Sequence, residues 1–219
     1  YWNGTPGFDR IQVLTISDGD TLTMALQAGE IDAAYGMPYA SYPLFQNDGY
    51  AFSSCPTSRA FFLHMNFESE ITRDPAVRRA IAMGIDKEGF VNRLLDGNGY
   101  PAQGPFPDTF SFGGEAVRGR DYDPDEAKKI LEDAGWVDTD QDGIREKDGK
   151  PLTIRWLTYP SRQELPLLAE AAQATLGKIG FDVVVNNTAD HNRIRTDSSA
   201  WDIYVSAMVT APTGDPEYF

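Results

Sequence analysis

The sequence predicts an α/β fold in which a mixed sheet carries helices packed on it. Two observations predict it. Short stretches of alternating apolar and polar residues recur along the chain and are separated by stretches with apolar residues at three- and four-residue spacing. At the start of the chain the order is strand, helix, strand, with a connection too long for a hairpin, which argues for a parallel pair.

The first strand is expected at Ile11–Ile16 (IQVLTI), with Ile11 and Val13 on one side. Asp18–Gln27 reads as a helix with Leu22, Ala25 and Leu26 inward and Gly29 as its stop, and Ile31–Tyr35 as the returning strand. Phe61–Phe67 (FFLHMNF) alternates cleanly, with Phe61, Leu63, Met65 and Phe67 on one face and Phe62, His64 and Asn66 on the other. Asp74-Pro75 opens a helix, because the carboxylate accepts from free N–H groups and a proline in the first turn gives up an N–H that has no partner. Val77, Ala80, Ile81 and Gly84 line its inner face. Asp86 starts another, with Phe90, Val91, Leu94 and Leu95 apolar and Gly97 as the stop.

Pro101–Gly119 is rich in glycine and proline and reads as an irregular surface connection. Asp123-Pro124 repeats the helix-opening device, with Ala127, Ile130, Leu131 and Ala134 inward and Gly135 at the end. Leu152–Leu157 is a strand, and Glu164–Gly180 a long helix with Leu167, Leu168, Ala171, Ala172, Thr175, Leu176 and Ile179 at helical spacing. Phe181–Val185 follows as a strand, Asp190–Ser198 as a short polar helix and Trp201–Val209 as the last strand.

The 219 residues, 41% hydrophobic and 12% aromatic, suffice for a proper core. No apolar run is long enough to span a membrane. A formal charge of −14 repels phosphate backbones and anionic headgroups, so nucleic acid is not an expected partner. Cys55, in the run Ser54-Cys55-Pro56, is the single cysteine and excludes an internal disulfide.

The stretch ITRDPAVRRAIAMGIDKEGFVNRLLDGNGY at 71–100, followed by DYDPDEAKKILEDAGW at 121–136, resembles the peptide/nickel (family 5) solute-binding proteins of ABC transporters. ALQAGEID at 25–32 resembles the family's strand, short helix and returning strand. Tyr1-Trp2 with Gly4 and Pro6 is similar to its YW-G-x-P entry, and GDPEYF at 214–219 to the DP-x-x-F element where such chains leave this lobe. The resemblance implies one lobe of a two-lobed, class II periplasmic-binding-protein-like fold. Residues 1–219 would be the second lobe, cut from a longer protein that supplies the missing first lobe. It implies an extracytoplasmic protein, periplasmic or a cell-surface lipoprotein. Such a protein captures a peptide-sized solute or metal chelate between its lobes and delivers it to ABC permease subunits, with no cofactor. The alternative in another class is a peptide-sensing or chaperone-like interaction module on the same fold.

In α/β sheets ligands meet the loops that follow strand ends. On this chain those are Tyr35–Tyr39, Thr158–Arg162 and Met208–Asp215, which offer Tyr35, Tyr39, Tyr159, Arg162, Met208, Thr210 and Thr213 as ligand-binding candidates. Against the dipeptide-binding pattern, Pro212 stands where an Asp would hold the peptide amino terminus. Tyr159 stands where an Arg would hold the carboxylate, a role Arg162 could take over. Against the nickel-binding pattern, Ala211-Pro212 is similar, but Thr210 and Gly214 fall near the expected Trp and Tyr.

Asp138, Asp140 and Asp142 in DTDQDG converge as carboxylates two residues apart can, and two readings fit: an ordered turn, or a weak Ca2+ site. An EF-hand loop would need Glu at its twelfth position, which is Gly149. A metal-dependent hydrolase built on these carboxylates is a third functional reading. His64 and His191 have no His or Cys at ligand spacing, so no transition-metal site is expected; His64 reads as a hydrogen-bonded strand residue and His191 as exposed. No nucleophile with its base and no phosphate-binding loop is visible, so the chain is not expected to be an enzyme.

Overall fold

The computed structural model describes every residue except 1–3, 6, 47, 48, 54, 56, 109 and 114–117. Tyr1-Trp2, Pro6 and two residues of Ser54-Cys55-Pro56 therefore lie outside the described residues. The chain divides into two compact units, Tyr1–Tyr50 and Ala51–Phe219.

In the first unit α1 (Gly19–Gln27) is capped by Asp18, which accepts from the Thr21 N–H at 2.8 Å. Leu22, Ala25 and Leu26 are buried as expected. A 3-10 turn, Tyr39–Leu44, is held to the helix by the Thr23 hydroxyl donating to Ser41 Oγ at 2.9 Å. Tyr50 donates to the Leu26 carbonyl at 3.1 Å and meets Phe45 edge-on. The strands expected at Ile11–Ile16 and Ile31–Tyr35 are absent, and with them the parallel pair. Alternation makes a strand only where a neighbour completes the ladder, and neither segment has one among the described residues. Ile11 and Val13 stand exposed instead.

The second unit is built on a four-stranded sheet of order β1 (Arg59–Met65), β6 (Ile203–Val209), β4 (Thr153–Thr158), β5 (Asp182–Asn187). The inner strands β6 and β4 are parallel, as are β4 and β5, while β1 runs antiparallel to β6, so the sheet is mixed. Register fixes two faces. Ile154, Trp156, Ile203 and Val205 are fully buried on the side covered by α5 (Glu164–Gly177). His64 opposes Tyr204 and Phe62 opposes Ser206 on the other. The alternation read in FFLHMNF thus holds, although the strand ends at Met65 and leaves Phe67 exposed.

Three helix starts behave as their sequences require. Asp74 accepts from Ala76 N–H at the head of α2 (Pro75–Gly84), Asp86 from Gly89 N–H at α3 (Lys87–Leu94), and Asp123 from Glu126 N–H at α4 (Pro124–Asp133). Two apolar stripes are rotated from expectation. In α3, Leu94 is exposed while Leu95 is buried. In α5 the buried stripe is Leu165, Leu168, Ala169, Ala172 and Leu176, and Leu167 faces water. A stripe anchored on Leu165 puts Leu167 about 200° round the helix. A short helix, α6 (His191–Arg195), precedes β6.

Between α4 and β4 the chain makes a two-residue hairpin, β2 (Glu146–Lys147) and β3 (Lys150–Pro151). Asp148 and Gly149 both have positive φ at its tip, the mirror-image turn that matches strand twist, so the Asp-Gly pair carried a hairpin signal. Nearby, Arg145 is buried and donates from Nε to the Ile179 carbonyl, from Nη1 to the Trp136 carbonyl and from Nη2 to Glu132 at 2.9 Å. Gly180 lets this side chain lie against its backbone: its φ is +98°, and an added Cβ would come within 2.5 Å of Arg145 Cγ. Gly180→Ala is expected to destabilise the protein by about 2 kcal/mol, because strain and the displaced guanidinium add. A thermal melt unchanged within about 1 °C would contradict this packing.

Candidate functional site

Because β4, β5 and β6 are parallel, their C-terminal ends Thr158, Asn187 and Val209 share one edge of the sheet, and antiparallel β1 begins there at Arg59. The loops leaving that edge are cross-tied. Thr210 donates to the Ser58 carbonyl from both N–H (2.9 Å) and Oγ1 (3.1 Å). Thr188 N–H donates to the Thr158 carbonyl at 3.0 Å. The Tyr159 hydroxyl accepts from the Ala207 N–H at 3.2 Å, which lays the side chain back across β6.

These ties sort the predicted residues. Tyr159 is half-buried, Met208 is half-buried one residue beyond Ala207, and Arg162 and Thr213 are exposed on their loops. Thr210 is fully buried and committed to Ser58, so it holds the loop rather than facing a solute. Tyr35 and Tyr39 lie in the first unit. Tyr35 is 94% exposed, and Tyr39 opens the 3-10 turn with its ring edge-on to Tyr42 at 5.5 Å. Sequence reasoning missed Arg59, whose guanidinium, like that of Arg162, has no ion-pair partner among the described residues. Its place at the strand head opposite Val209 carried no local signal.

The two histidines come out differently against their reading. His64 Nε2 lies 2.9 Å from Ser206 Oγ, as a hydrogen-bonded strand residue should. His191 is not exposed: its ring stacks on Tyr159 at 4.1 Å and its Nδ1 lies 3.0 Å from the Tyr204 hydroxyl. Burial and the charge of Arg195 push both imidazoles below the ordinary histidine range. Burial, with Tyr159 adding to it, raises Tyr204.

The acidic turn brings Asp138, Asp140 and Asp142 together with Glu146, one oxygen of each lying within 4.8 Å of the others. Glu146, on β2, was not in the predicted group. The oxygens are engaged by the loop's own backbone: Asp138 accepts from Gln141 and Gly143 N–H, Asp142 from Ile144 N–H, and Glu146 from Thr139 N–H. This is how an Asp-rich turn orders itself.

Residues 1–219 match throughout the family described as bacterial extracellular solute-binding proteins, family 5 Middle. The chain belongs to that family. Among its family 5 relatives, the nickel-binding periplasmic protein of Escherichia coli is 30% identical over 84% of this chain and 36% of its own length. The oligopeptide-binding protein AppA of Bacillus subtilis is 29% identical over 84% of this chain and 34% of its own. The crystal structure of NikA from Brucella suis in complex with Fe(III)-EDTA superimposes with a TM-score of 0.82 at 29% identity, covering all of this chain and 45% of that one. The chain thus spans less than half the length of these proteins. The family binds solutes, and its structural neighbours share the mixed α/β architecture described above. No helix among the described residues is long and apolar enough to cross a membrane.

Proposed function

We propose that this chain is the second lobe of an extracytoplasmic solute-binding protein, periplasmic or anchored as a cell-surface lipoprotein, that serves an ABC importer. The carrying observation is the shared edge of parallel strand ends, with Tyr159 leaving it and laid back across β6, in a chain matched along its length by a solute-binding family. A first lobe from the remainder of the longer protein closes over this edge. Solute touching both lobes stabilises the closed form, which permease subunits recognise. The solute is a peptide or a metal chelate, in keeping with relatives named for nickel and for oligopeptides. Arg59 and Arg162, which have no ion-pair partner among the described residues in a chain of charge −14, favour a carboxylate on it. Tyr159, Met208 and Thr213 complete the contact set on the second unit, and Tyr35 and Tyr39 are separate candidates on the first. No covalent step is assigned to any of them.

Isothermal titration of the full-length protein against dipeptides, oligopeptides and nickel–histidine chelates tests the reading. One class is expected to bind at micromolar affinity or better, about 8 kcal/mol, and residues 1–219 alone only near millimolar. Tyr159→Ala is expected to weaken the full-length protein about tenfold, equivalent to about 1.4 kcal/mol. Equal affinity for the isolated residues 1–219 and the full-length protein, or no binding of any class, would overturn it.

A further inference from the structure

On the sheet face away from α5, the two histidines of the chain meet around one phenol. The rings of His64 and His191 lie 5.7 Å and 5.8 Å from that of Tyr204, both stacked, and the Arg195 guanidinium stands 5.1 Å over the same ring. His191 and Arg195 are the two ends of α6, a helix of five residues with none of them buried. So short a helix has no stability of its own. It is held by the His191 stack on Tyr159, the His191–Tyr204 hydrogen bond, Arg195 on Tyr204, and the Trp201 Nε1–H donating to the Arg195 carbonyl.

We propose that His64 and His191 form an acid-sensitive latch: neutral, His191 holds α6 on Tyr159 and Tyr204 while His64 stacks on the same Tyr204, and protonated, the two histidines with Arg195 place three cations around Tyr204 and release α6. The nearby carboxylates are already engaged. Just before β6, Asp202 is occupied by Arg155 of β4 and by Ser69. From the head of α6, Asp190 pairs with Arg193. From the loop after it, Asp197 accepts from Ser199. Among the described residues, the other groups in ring or hydrogen-bond contact with the histidines are Tyr159 beyond β4, Ser206 on β6 and Phe62 on β1, none of which carries a negative charge near neutrality. The depressed basicity of both imidazoles agrees with this arrangement. The sign follows: the unfolded segment takes up protons below about pH 6.5, before the folded one does, so the latch weakens as pH falls through that value. The device is independent of which solute the protein carries.

Hydrogen exchange on the full-length protein at pH 7.5 and pH 5.0, corrected for intrinsic rate, tests it. Protection across residues 188–197 is expected to fall at least tenfold at pH 5.0 while α5 stays unchanged. Arg195→Gln, which removes one of the three cations and with it one contact that holds α6, is expected to lower protection at pH 7.5 and to shrink the further loss at pH 5.0 to less than half that of the parent. The double variant His64→Gln/His191→Gln is expected to abolish the acid step. Equal protection at both pH values, or an acid step undiminished in either variant, would overturn the proposal. Should the double variant fail to fold, titration of the native histidines by NMR decides: midpoints at or above 6.5 overturn it, and lower ones support it.

Discussion

Trp156→Ala is expected to cost about 4 kcal/mol, the middle of the range for emptying an aromatic site in a core. Trp156 sits at the middle of β4, wholly buried, beside Ile203 on the adjacent strand and under α5. Its loss would leave a void between sheet and helix that neither can close without breaking the β4 ladders. Against a typical total of about 5–15 kcal/mol, such a loss leaves little of the fold. The indole N–H has no hydrogen-bond partner among the described residues. Trp156→Phe therefore removes an unsatisfied donor together with some volume, and is expected to cost less than half as much. Urea unfolding followed by circular dichroism separates the two. An alanine variant within about 1 kcal/mol of the parent would mean that the sheet and α5 do not pack as described.

The second large effect is expected at Asp202. Its carboxylate is 2% exposed and accepts from the Arg155 N–H at 2.7 Å, from Arg155 Nε and Nη2, and from the Ser69 hydroxyl at 2.6 Å. Arg155 also reaches the Ser199 carbonyl. One side chain thus ties β4, the head of β6 and the turn after β1. Burial pushes the carboxyl up, but Arg155 and Ser69 together outweigh it and hold it below the ordinary carboxylate range. Asp202→Ala is expected to cost about 3 kcal/mol, the low end for breaking a buried pair, because the Arg155 side chain is 44% exposed and regains water. The pH dependence follows from the depressed value. The stabilisation is fully present above about pH 4, the unfolded carboxyl's range, and is lost as pH falls through the lower folded value. Denaturation midpoints measured from pH 7 down to pH 2 should show this loss in the parent and a shallower one in the variant. Identical slopes would remove Asp202 from the account.

What the sequence disclosed was what neighbours in the chain decide. Asp74, Asp86 and Asp123 cap helices because the groups they satisfy lie two or three residues away, and all three are where they were read. The sheet strands at 59–65, 153–158, 182–187 and 203–209 were legible from the sequence, to within two residues at their boundaries. Alternation alone misled at Ile11–Ile16, since it reports which residues would share a face and not whether another strand is there to receive them. The stripe of α5 was misread because Leu165, Leu167 and Leu168 fit two helical faces, and only the position of the sheet chooses between them. At the site, loop positions after strand ends were legible and side-chain roles were not. Thr210 turns inward to Ser58, and His191 reaches Tyr159 and Tyr204, through contacts between parts of the chain remote in sequence.

The order of the sheet has a consequence for how the molecule is made. His64 and Ser206, which share a hydrogen bond across adjacent strands, are 142 positions apart in the sequence. A polypeptide leaving the ribosome from its N-terminus therefore carries Arg59–Met65 as a bare, half-apolar ribbon until nearly the whole second unit has been synthesised. Long-range closure of this kind is slow. In the unfinished chain the ladder groups of β1 and its apolar side stay without their partner strand until β6 emerges.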